Sequence, residues 1–407
     1  MSSVEDFRRE QEADKAMGGA LLANNDYAPP EVTPLGEVES DADLLAAASG
    51  EESEKKQSDP DSWLNAPAQE GIRGFFAKHM GIALAPGEEE MAKRRKVQAM
   101  RLEAMDDATI IKRPARHSHS KASFITVYSS KGGVGKSTVS AAIAYTLSAV
   151  GQKNTAAAEV NGSMGSLADK MGTPKHLGLP DLLEAINKGE IRDGADGERS
   201  PKEFMPRTTT ANRGSVSVLG GNTTSLVKRR RMNAVDVVAV ARALAPYWDA
   251  VVLDNGTDLD DGGDNWEDKS PAFGSFAVSH SLVLVCSGNY TEAREFALST
   301  LSMLEDRASR DIKNRPFWEK LRKNATLAVV DKDDQNIITR TVDGEEVRGS
   351  EGAHKIYDEF MMGKKVRDVV VVPRDTALAS YPIGYNDLSP RTLRAVRRLT
   401  ASAWSVC

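Results

Sequence analysis

Residues 124–139 read Phe-Ile-Thr-Val-Tyr-Ser-Ser-Lys-Gly-Gly-Val-Gly-Lys-Ser-Thr-Val, and they are the strongest indication of the fold class. A β-type apolar run comes first, a glycine-rich segment follows at 130–138, and a helix-forming run continues to residue 150. The glycines allow positive φ and close backbone approach, so successive N–H groups can converge on phosphate oxygens. Strand, glycine-rich loop and helix in this order predict a phosphate-binding loop.

The side chains of this loop suit a nucleoside triphosphate with Mg²⁺. Lys136 supplies a positive charge for the β- and γ-phosphates, and the Ser137 hydroxyl is a ligand type that suits Mg²⁺. The generic pattern has glycine at the first position, where this chain has Ser130, and a second lysine, Lys131, follows at once. The remaining predicted nucleotide-binding residues of the loop are Gly132, Gly133, Val134, Gly135 and Thr138.

A phosphate loop needs a carboxylate for Mg²⁺ or its water at the end of a neighbouring strand. Asp254 ends the apolar run 250–254 and is the predicted second metal ligand. The turn 255–258 follows and is placed to respond to a γ-phosphate. Because aspartate also favours ordinary strand-ending turns, this assignment depends on the loop beside it.

Segment 131–138 resembles the phosphate loop of the MinD/ParA group of ATPases. The resemblance implies ATP as the nucleotide and an ATP-dependent homodimer. In that family the early lysine, here Lys131, reaches the partner's nucleotide across the dimer interface. A buried phosphate cluster tolerates a second subunit's cation only while its own charge is present, which makes dimerisation depend on the triphosphate.

The same resemblance bears on hydrolysis. After the second predicted strand, relatives usually read Asp-x-Asp or Asp-x-Asn. In this chain Glu159 replaces the first aspartate, and Asn161 occupies the position of the acid that assists hydrolysis in typical members. An amide can orient water but cannot accept its proton. We therefore predict slow or partner-stimulated hydrolysis, with the catalytic residues Lys131, Lys136, Asp254 and Asn161.

The run 369–379 resembles the segment that borders the nucleotide base in this family. The resemblance places Pro373 and Asp375 beside adenine, although a strand that ends at a proline turn is the simpler alternative. Asp331, at another strand end, is a weaker candidate for a base contact.

Alternating strand-like and helix-like runs from residue 123 predict an α/β fold of the P-loop NTPase class: a mainly parallel sheet with helices on both faces. The predicted strands are 124–129, 155–160, 215–219, 250–254, 281–286, 325–330 and 368–372. The predicted helices are 136–150, 179–188, 233–246, 291–307, 352–362 and 390–404, with a surface hairpin or loop at 333–350.

The chain divides into three predicted parts. Residues 1–60 hold 15 acidic and 5 basic residues, for a net charge of −10, whereas the rest carries +4; this composition predicts a disordered acidic arm. Residues 61–120 predict a short helical segment and a basic linker, and residues 121–407 the ATPase domain. The order of parts also resembles the actinobacterial MinD-like ATPases encoded with type VII secretion systems.

The composition favours a globular cytoplasmic protein, because 40% of residues are hydrophobic and the mean hydropathy is −0.42. No apolar run approaches the roughly 18 residues that cross a bilayer, and the first ten residues lack the apolar core of a secretory signal. The two cysteines, Cys286 and Cys407, have no metal or redox spacing, and Cys286 is predicted to lie in the core.

Two basic clusters are candidates for nonspecific DNA binding: Lys228–Arg231, and Arg391, Arg394 and Arg398 on one face of the last helix. An exposed face of a docked helix explains the second cluster equally well. Membrane attachment is less favoured, because residues 401–407 are too short for an amphipathic tail.

Two functions of different classes remain open. The first is a dimeric ATPase switch that positions or regulates a larger object, such as a secretion or conjugation machine or a partitioning plasmid or chromosome. The second is a non-catalytic ATP-binding scaffold, suggested by Asn161, which recruits an unknown protein partner through the N-terminal arm. The arm can equally be a solvating tail.

Overall fold

The structure is a computed structural model of the chain. It describes residues 107–115, 122–160, 165–174, 177–191, 197–209, 214–221, 232–259, 265–331, 337–342 and 345–407. The predicted arm 1–60, most of segment 61–120, Asn161 and Lys228–Arg231 lie outside the described residues.

Within these described ranges, eight strands form one sheet, and two more form a separate hairpin. In chain order they are β1 (Ser123–Tyr128), β2 (Thr155–Glu159), β3 (Arg207–Thr209), β4 (Ser215–Leu219), β5 (Ala250–Asp254), β6 (Ser281–Ser287), β7 (Thr326–Val330), β8 (Ile338–Val342), β9 (Glu345–Gly349) and β10 (Asp368–Val372).

The sheet order is β10-β7-β6-β1-β5-β2-β4-β3. All pairings are parallel except β3 with β4, so the prediction of a mainly parallel sheet is confirmed. Every predicted strand is present, and β8 and β9 pair antiparallel within the predicted hairpin region. The short edge strand β3 was not predicted.

Ten α-helices are present among the described elements after β1: α1 (Lys136–Ala149), α2 (Leu167–Lys170), α3 (Leu179–Asn187), α4 (Ala234–Leu244), α5 (Pro271–Val278), α6 (Tyr290–Arg310), α7 (Arg315–Lys323), α8 (Glu351–Tyr357), α9 (Thr376–Ala379) and α10 (Pro390–Trp404). All six predicted helices are confirmed. The last part of the predicted helix 352–362 is a π-helical turn, Asp358–Met362.

Helices cover both faces of the sheet, as predicted. On one face, α1 and α10 pack on alternate residues of the central strands, such as Val127, Val252 and Val285. On the other face, α5 to α8 cover one half of the sheet and α3 and α4 cover the other half. Cys286 is 4% exposed in this core, which confirms its predicted position. Among the described residues, no helix has the length and apolar character to cross a membrane.

Candidate functional site

The phosphate loop joins the end of β1 to the start of α1 at the centre of the sheet. Gly133 has φ +75 and Gly135, which caps α1, has φ +110, a region that favours glycine. A Cβ at Gly132 or Gly133 would meet no atom within 4 Å, whereas one at Gly135 would lie 3.3 Å from the Val330 side chain. The loop backbone is therefore open on one side and packed on the other, and it leads into the positive end of a helix dipole.

Two hydroxyls and one ammonium group meet the carboxylate of Asp254, which is 1% exposed. Ser137 Oγ donates to Asp254 Oδ2 at 2.6 Å, and Ser140 Oγ donates to Oδ1 at 2.9 Å. Lys136 Nζ lies 3.6 Å from Asp254 Oδ1. The structure therefore brings the predicted residues Lys136, Ser137 and Asp254 together, and Ser140 fixes the second carboxylate oxygen.

These groups fit a bound Mg²⁺. When Ser137 donates its hydrogen to Asp254, the lone pairs of its oxygen stay available, and hydroxyl and carboxylate oxygens are the hard ligands that Mg²⁺ prefers. No cluster of three or more His, Cys, Asp or Glu residues that could hold a metal occurs among the described residues. An ion at this place would complete its shell with phosphate oxygens and water, as Mg²⁺ does in phosphoryl-transfer sites.

A cavity of about 760 Å³ extends from the phosphate loop. Its volume lies in the range of ligand-binding cavities. The phosphate loop forms one wall, and the segments that follow β2, β7 and β10 form the others. The lining residues are Lys131, Gly132, Gly133, Gly135, Lys136, Ser137, Thr138, Glu159, Gly165, Ser166, Lys170, Thr257, Val330, Asp331, Pro373, Arg374, Asp375, Leu378, Ala379 and Tyr381.

The predicted base-contact residues lie in this wall, but their side chains already have partners. Asp375 Oδ1 accepts from the backbone N–H of Ala377 at 2.9 Å and so caps α9, and Oδ2 accepts from Ser389 N at 3.0 Å. Asp331 Oδ2 accepts from Ser350 N at 2.5 Å. Burial raises the pKa of Asp375, but the hydrogen bonds from Ser389 and its neighbours outweigh this and hold the pKa below its usual value. Asp375 therefore shapes the wall of the cavity by capping α9.

The turn after β5 is anchored at its first residue. The Asn255 side chain is buried and donates to Val127 O at 3.2 Å, while its Oδ1 accepts from Ser275 Oγ of α5 at 2.5 Å. Thr257, two residues on, lines the cavity. A change in this turn can therefore be transmitted to α5.

Glu159 at the end of β2 is a buried carboxyl group beside Asp254, its register partner on β5. Its Oε2 accepts from Gly221 N at 3.0 Å. A Cβ at Gly165 would overlap this carboxyl group, so a side chain there would displace it. Burial, and next the Asp254 carboxylate, raise the pKa of Glu159 from 4.5 to about 7, although Gly221 N–H and Lys136 act in the opposite direction.

The raised pKa of Glu159 predicts a pH-dependent stability. The folded state binds this proton more tightly than the unfolded state, so its contribution is fully present below pH 4.5 and is lost as the pH rises through 7. Between pH 5 and 8 the metal-free protein is expected to lose about 2 to 3 kcal/mol of unfolding free energy from this group. Denaturant unfolding of the Glu159→Gln variant is expected to lack this loss, and an equal pH dependence in both proteins would contradict the assignment.

Lys131 pairs with an acid of its own chain. Its Nζ lies 2.7 Å from Glu292 Oε2 of α6, with the two side chains 61% and 46% exposed. An ion pair this exposed adds little to stability and releases its lysine readily. Sequence reasoning missed Glu292, because α6 is remote in sequence and its acid has no motif.

The predicted basic face of α10 is only partly open. Arg398 pairs with Asp368 at 3.2 Å, and Arg391 donates to the Arg348 carbonyl oxygen at 3.0 Å. Arg394 is the exposed member of the three. For Arg391 and Arg398, the structure therefore agrees with the predicted alternative, in which α10 is a helix docked on the domain.

No family model and no curated protein sequence matches the chain. Solved structures with a similar fold include the ParA family ATPase from Chlorobium tepidum TLS, at 15% identity and a TM-score of 0.47 over 70% of this chain and 98% of that one. MinD from Pyrococcus horikoshii OT3 with Mg-ADP gives 16% identity and a TM-score of 0.46, over 69% and 94%. A variant of McdA from Cyanothece, in complex with ATP, gives 12% and 0.46, over 70% and 96%.

The chain is thus similar in fold to solved ParA and MinD structures, the group that its phosphate loop resembles. The resemblance to the type VII secretion subgroup stays a prediction.

Proposed function

We propose that this protein binds Mg-ATP, hydrolyses it slowly or under stimulation by a partner, dimerises with ATP and acts as a cytoplasmic switch for a larger machine or a DNA cargo. One observation carries the proposal. A left-handed glycine loop, Lys136 and the Ser137–Asp254 pair meet at one end of the 760 Å³ cavity.

The loop residues divide the work of holding a triphosphate. The backbone N–H groups and the N-terminus of α1 donate to phosphate oxygens, and Lys136 neutralises their charge. Asp254, fixed by Ser140, orients the Ser137 hydroxyl. Bound Mg²⁺ would stabilise the negative charge that develops on the transferred phosphoryl group.

The hydrolysis step has a weak proton acceptor in this chain. The residue at 161 is an amide, and the carboxyl group of Glu159 is engaged by Gly221 N–H. These two side chains can orient a water molecule beside the γ-phosphate. Neither of them offers a free carboxylate that could accept the proton of that water molecule. This supports slow turnover, and a partner that supplies a charged group would raise it.

Dimerisation is proposed to use Lys131. Its side chain is exposed and is held only by an exposed acid, so moving it to the phosphates of a second protomer disrupts no buried contact. A charge-assisted bond to phosphate is stronger than the bond it replaces, because phosphate carries more charge than one carboxylate. Nucleotide occupancy thereby controls association.

The proposal is tested on the full chain by calorimetry and light scattering. Mg-ATP is expected to bind. The mass is expected to double from 44.0 kDa when ATP is added and to remain 44.0 kDa when ADP is added. Absence of adenine-nucleotide binding would overturn the whole proposal, whereas binding without a change in mass would overturn the switch alone.

A non-catalytic scaffold is the second candidate, and the observation that favours it is the engaged carboxyl group of Glu159 beside the amide at 161. A single-turnover assay of phosphate release, with and without DNA, separates the two candidates. Release that DNA stimulates, with affinity that falls steeply in salt, supports the ATPase with a DNA cargo. Tight ATP binding with no release over days supports the scaffold, with the N-terminal arm as its partner-binding segment.

A further inference from the structure

The wall of the nucleotide cavity carries an exposed aromatic ring that the phosphate chemistry does not explain. Tyr381 follows α9 and is 63% exposed, the one aromatic side chain among the exposed large hydrophobic residues of the described chain. It lines the cavity together with Pro373. An aromatic ring left in solvent has no role in the core, and such a ring in a ligand cavity suits a flat partner.

The ring is held in place from one side by Lys170, the last residue of α2. Lys170 Nζ lies 3.6 Å from the centroid of the Tyr381 ring. The same ammonium group donates to the carbonyl oxygens of Ala379 at 2.9 Å and Ser380 at 3.2 Å. Lys170 is 5% exposed, and no ion pair with a carboxylate is found for it among the described residues. The Lys170 side chain also lines the cavity, and these two carbonyl oxygens hold its ammonium group against the ring.

The backbone strengthens this attachment. The carbonyl oxygen of Lys170 accepts from Ile383 N at 2.8 Å. A Cβ at Gly172 would lie 3.0 Å from the Pro382 ring, so the turn after α2 and the segment around Tyr381 are in close contact. The ring therefore stands on a segment fixed at several points, and it loses little conformational entropy when a ligand binds.

We propose that Tyr381 is the surface on which the nucleoside part of the bound nucleotide packs, and that Lys170 is the positioning residue that holds the ring. The inference rests on the proposed nucleotide function and adds the residue that recognises the base. The phosphate loop fixes the triphosphate end, so the nucleoside must extend along the remaining walls, where the exposed Tyr381 ring offers a flat apolar surface. Bases stack on aromatic rings because every base has a π-face.

Calorimetry with two ligands tests the inference: Mg-ATP, and Mg-tripolyphosphate, which lacks the nucleoside. The Tyr381→Ala variant is expected to bind ATP about 5- to 150-fold more weakly than wild type, the range for loss of one base stack, and to bind tripolyphosphate within about twofold of wild type. Tyr381→Phe is expected to retain ATP affinity. Ile312→Ala, which truncates another exposed apolar residue just after the end of α6, is the matched control and is expected to change neither.

Lys170→Met keeps the apolar stem and removes the ammonium group. It is expected to weaken ATP binding less than Tyr381→Ala does, and the double variant is expected to equal Tyr381→Ala, because a positioning residue acts through the ring. Thermal denaturation of each variant identifies any that fails to fold.

Three results would overturn the inference: unchanged ATP affinity in Tyr381→Ala, an equal loss for both ligands, or wild type that binds ATP no tighter than tripolyphosphate. Wild type that binds neither ligand would instead overturn the proposed function itself. Weakened tripolyphosphate binding in Lys170→Met would place Lys170 on the phosphates and contradict its positioning role.

Discussion

The Lys136→Ala variant is expected to bind Mg-ATP at least about 100-fold more weakly than wild type. Lys136 is the loop cation, and it lies 3.6 Å from the Asp254 carboxylate with only 12% of its side chain exposed. A charge-assisted hydrogen bond to phosphate contributes about 1.5 to 3 kcal/mol, and the ammonium group can make more than one. The loss of these hydrogen bonds accounts for the weaker binding. Calorimetric titration with Mg-ATP measures it.

The fold of this variant is expected to survive. Asp254 keeps the hydroxyl groups of Ser137 and Ser140 as donors, so no buried carboxylate is left without a partner. Thermal denaturation without nucleotide is expected to change little. Lys188→Ala, which removes an exposed lysine paired with Glu184 on α3, is the matched control and is expected to bind ATP as wild type does. Near-normal ATP affinity in Lys136→Ala would refute the assignment of the loop.

The Lys131→Ala variant is expected to bind ATP and yet remain a monomer. Lys131 lines the cavity but pairs with Glu292 across an exposed surface, so its contribution to a single protomer's site is small. In the proposed dimer its charge would meet the partner's phosphates, where water is excluded and the interaction is stronger. Light scattering with ATP is expected to report the monomer mass, while calorimetry reports affinity within a few fold of wild type.

Glu292→Gln supplies the opposite change at the same contact. It releases Lys131 from its intrachain partner without removing it, and dimerisation with ATP is expected to occur at equal or lower protein concentration than in wild type. A Lys131→Ala protein that still doubles its mass with ATP would show that this lysine does not join the protomers.

The fold was predictable because its strands and most helices have clear local patterns. The strands are short apolar runs rich in valine, and α10 is marked by a serine cap and a proline, Ser389-Pro390, at its start. α5 was missed for a physical reason: it is buried on nearly all sides and so has no polar face. Its Gly274, a poor helix residue, is needed because a Cβ there would lie 2.5 Å from the Ala234 carbonyl oxygen.

The site was predictable where its residues are contiguous. The phosphate loop and Asp254 follow a spacing that phosphate chemistry imposes. Lys170, Glu292 and Tyr381 come from elements that only the folded chain brings to the loop, and Ser140, although it lies on α1 beside the loop, belongs to no motif. Their roles depend on distances across the sheet edge, which no local pattern contains.

One edge of the sheet is β3, and its length and sequence limit pairing with another chain. β3 has three residues, Arg207–Thr209, and begins with an arginine, so it offers few free backbone groups to another chain. Strand addition at this border is therefore unfavourable, and this edge is protected against edge-to-edge pairing between copies of the protein.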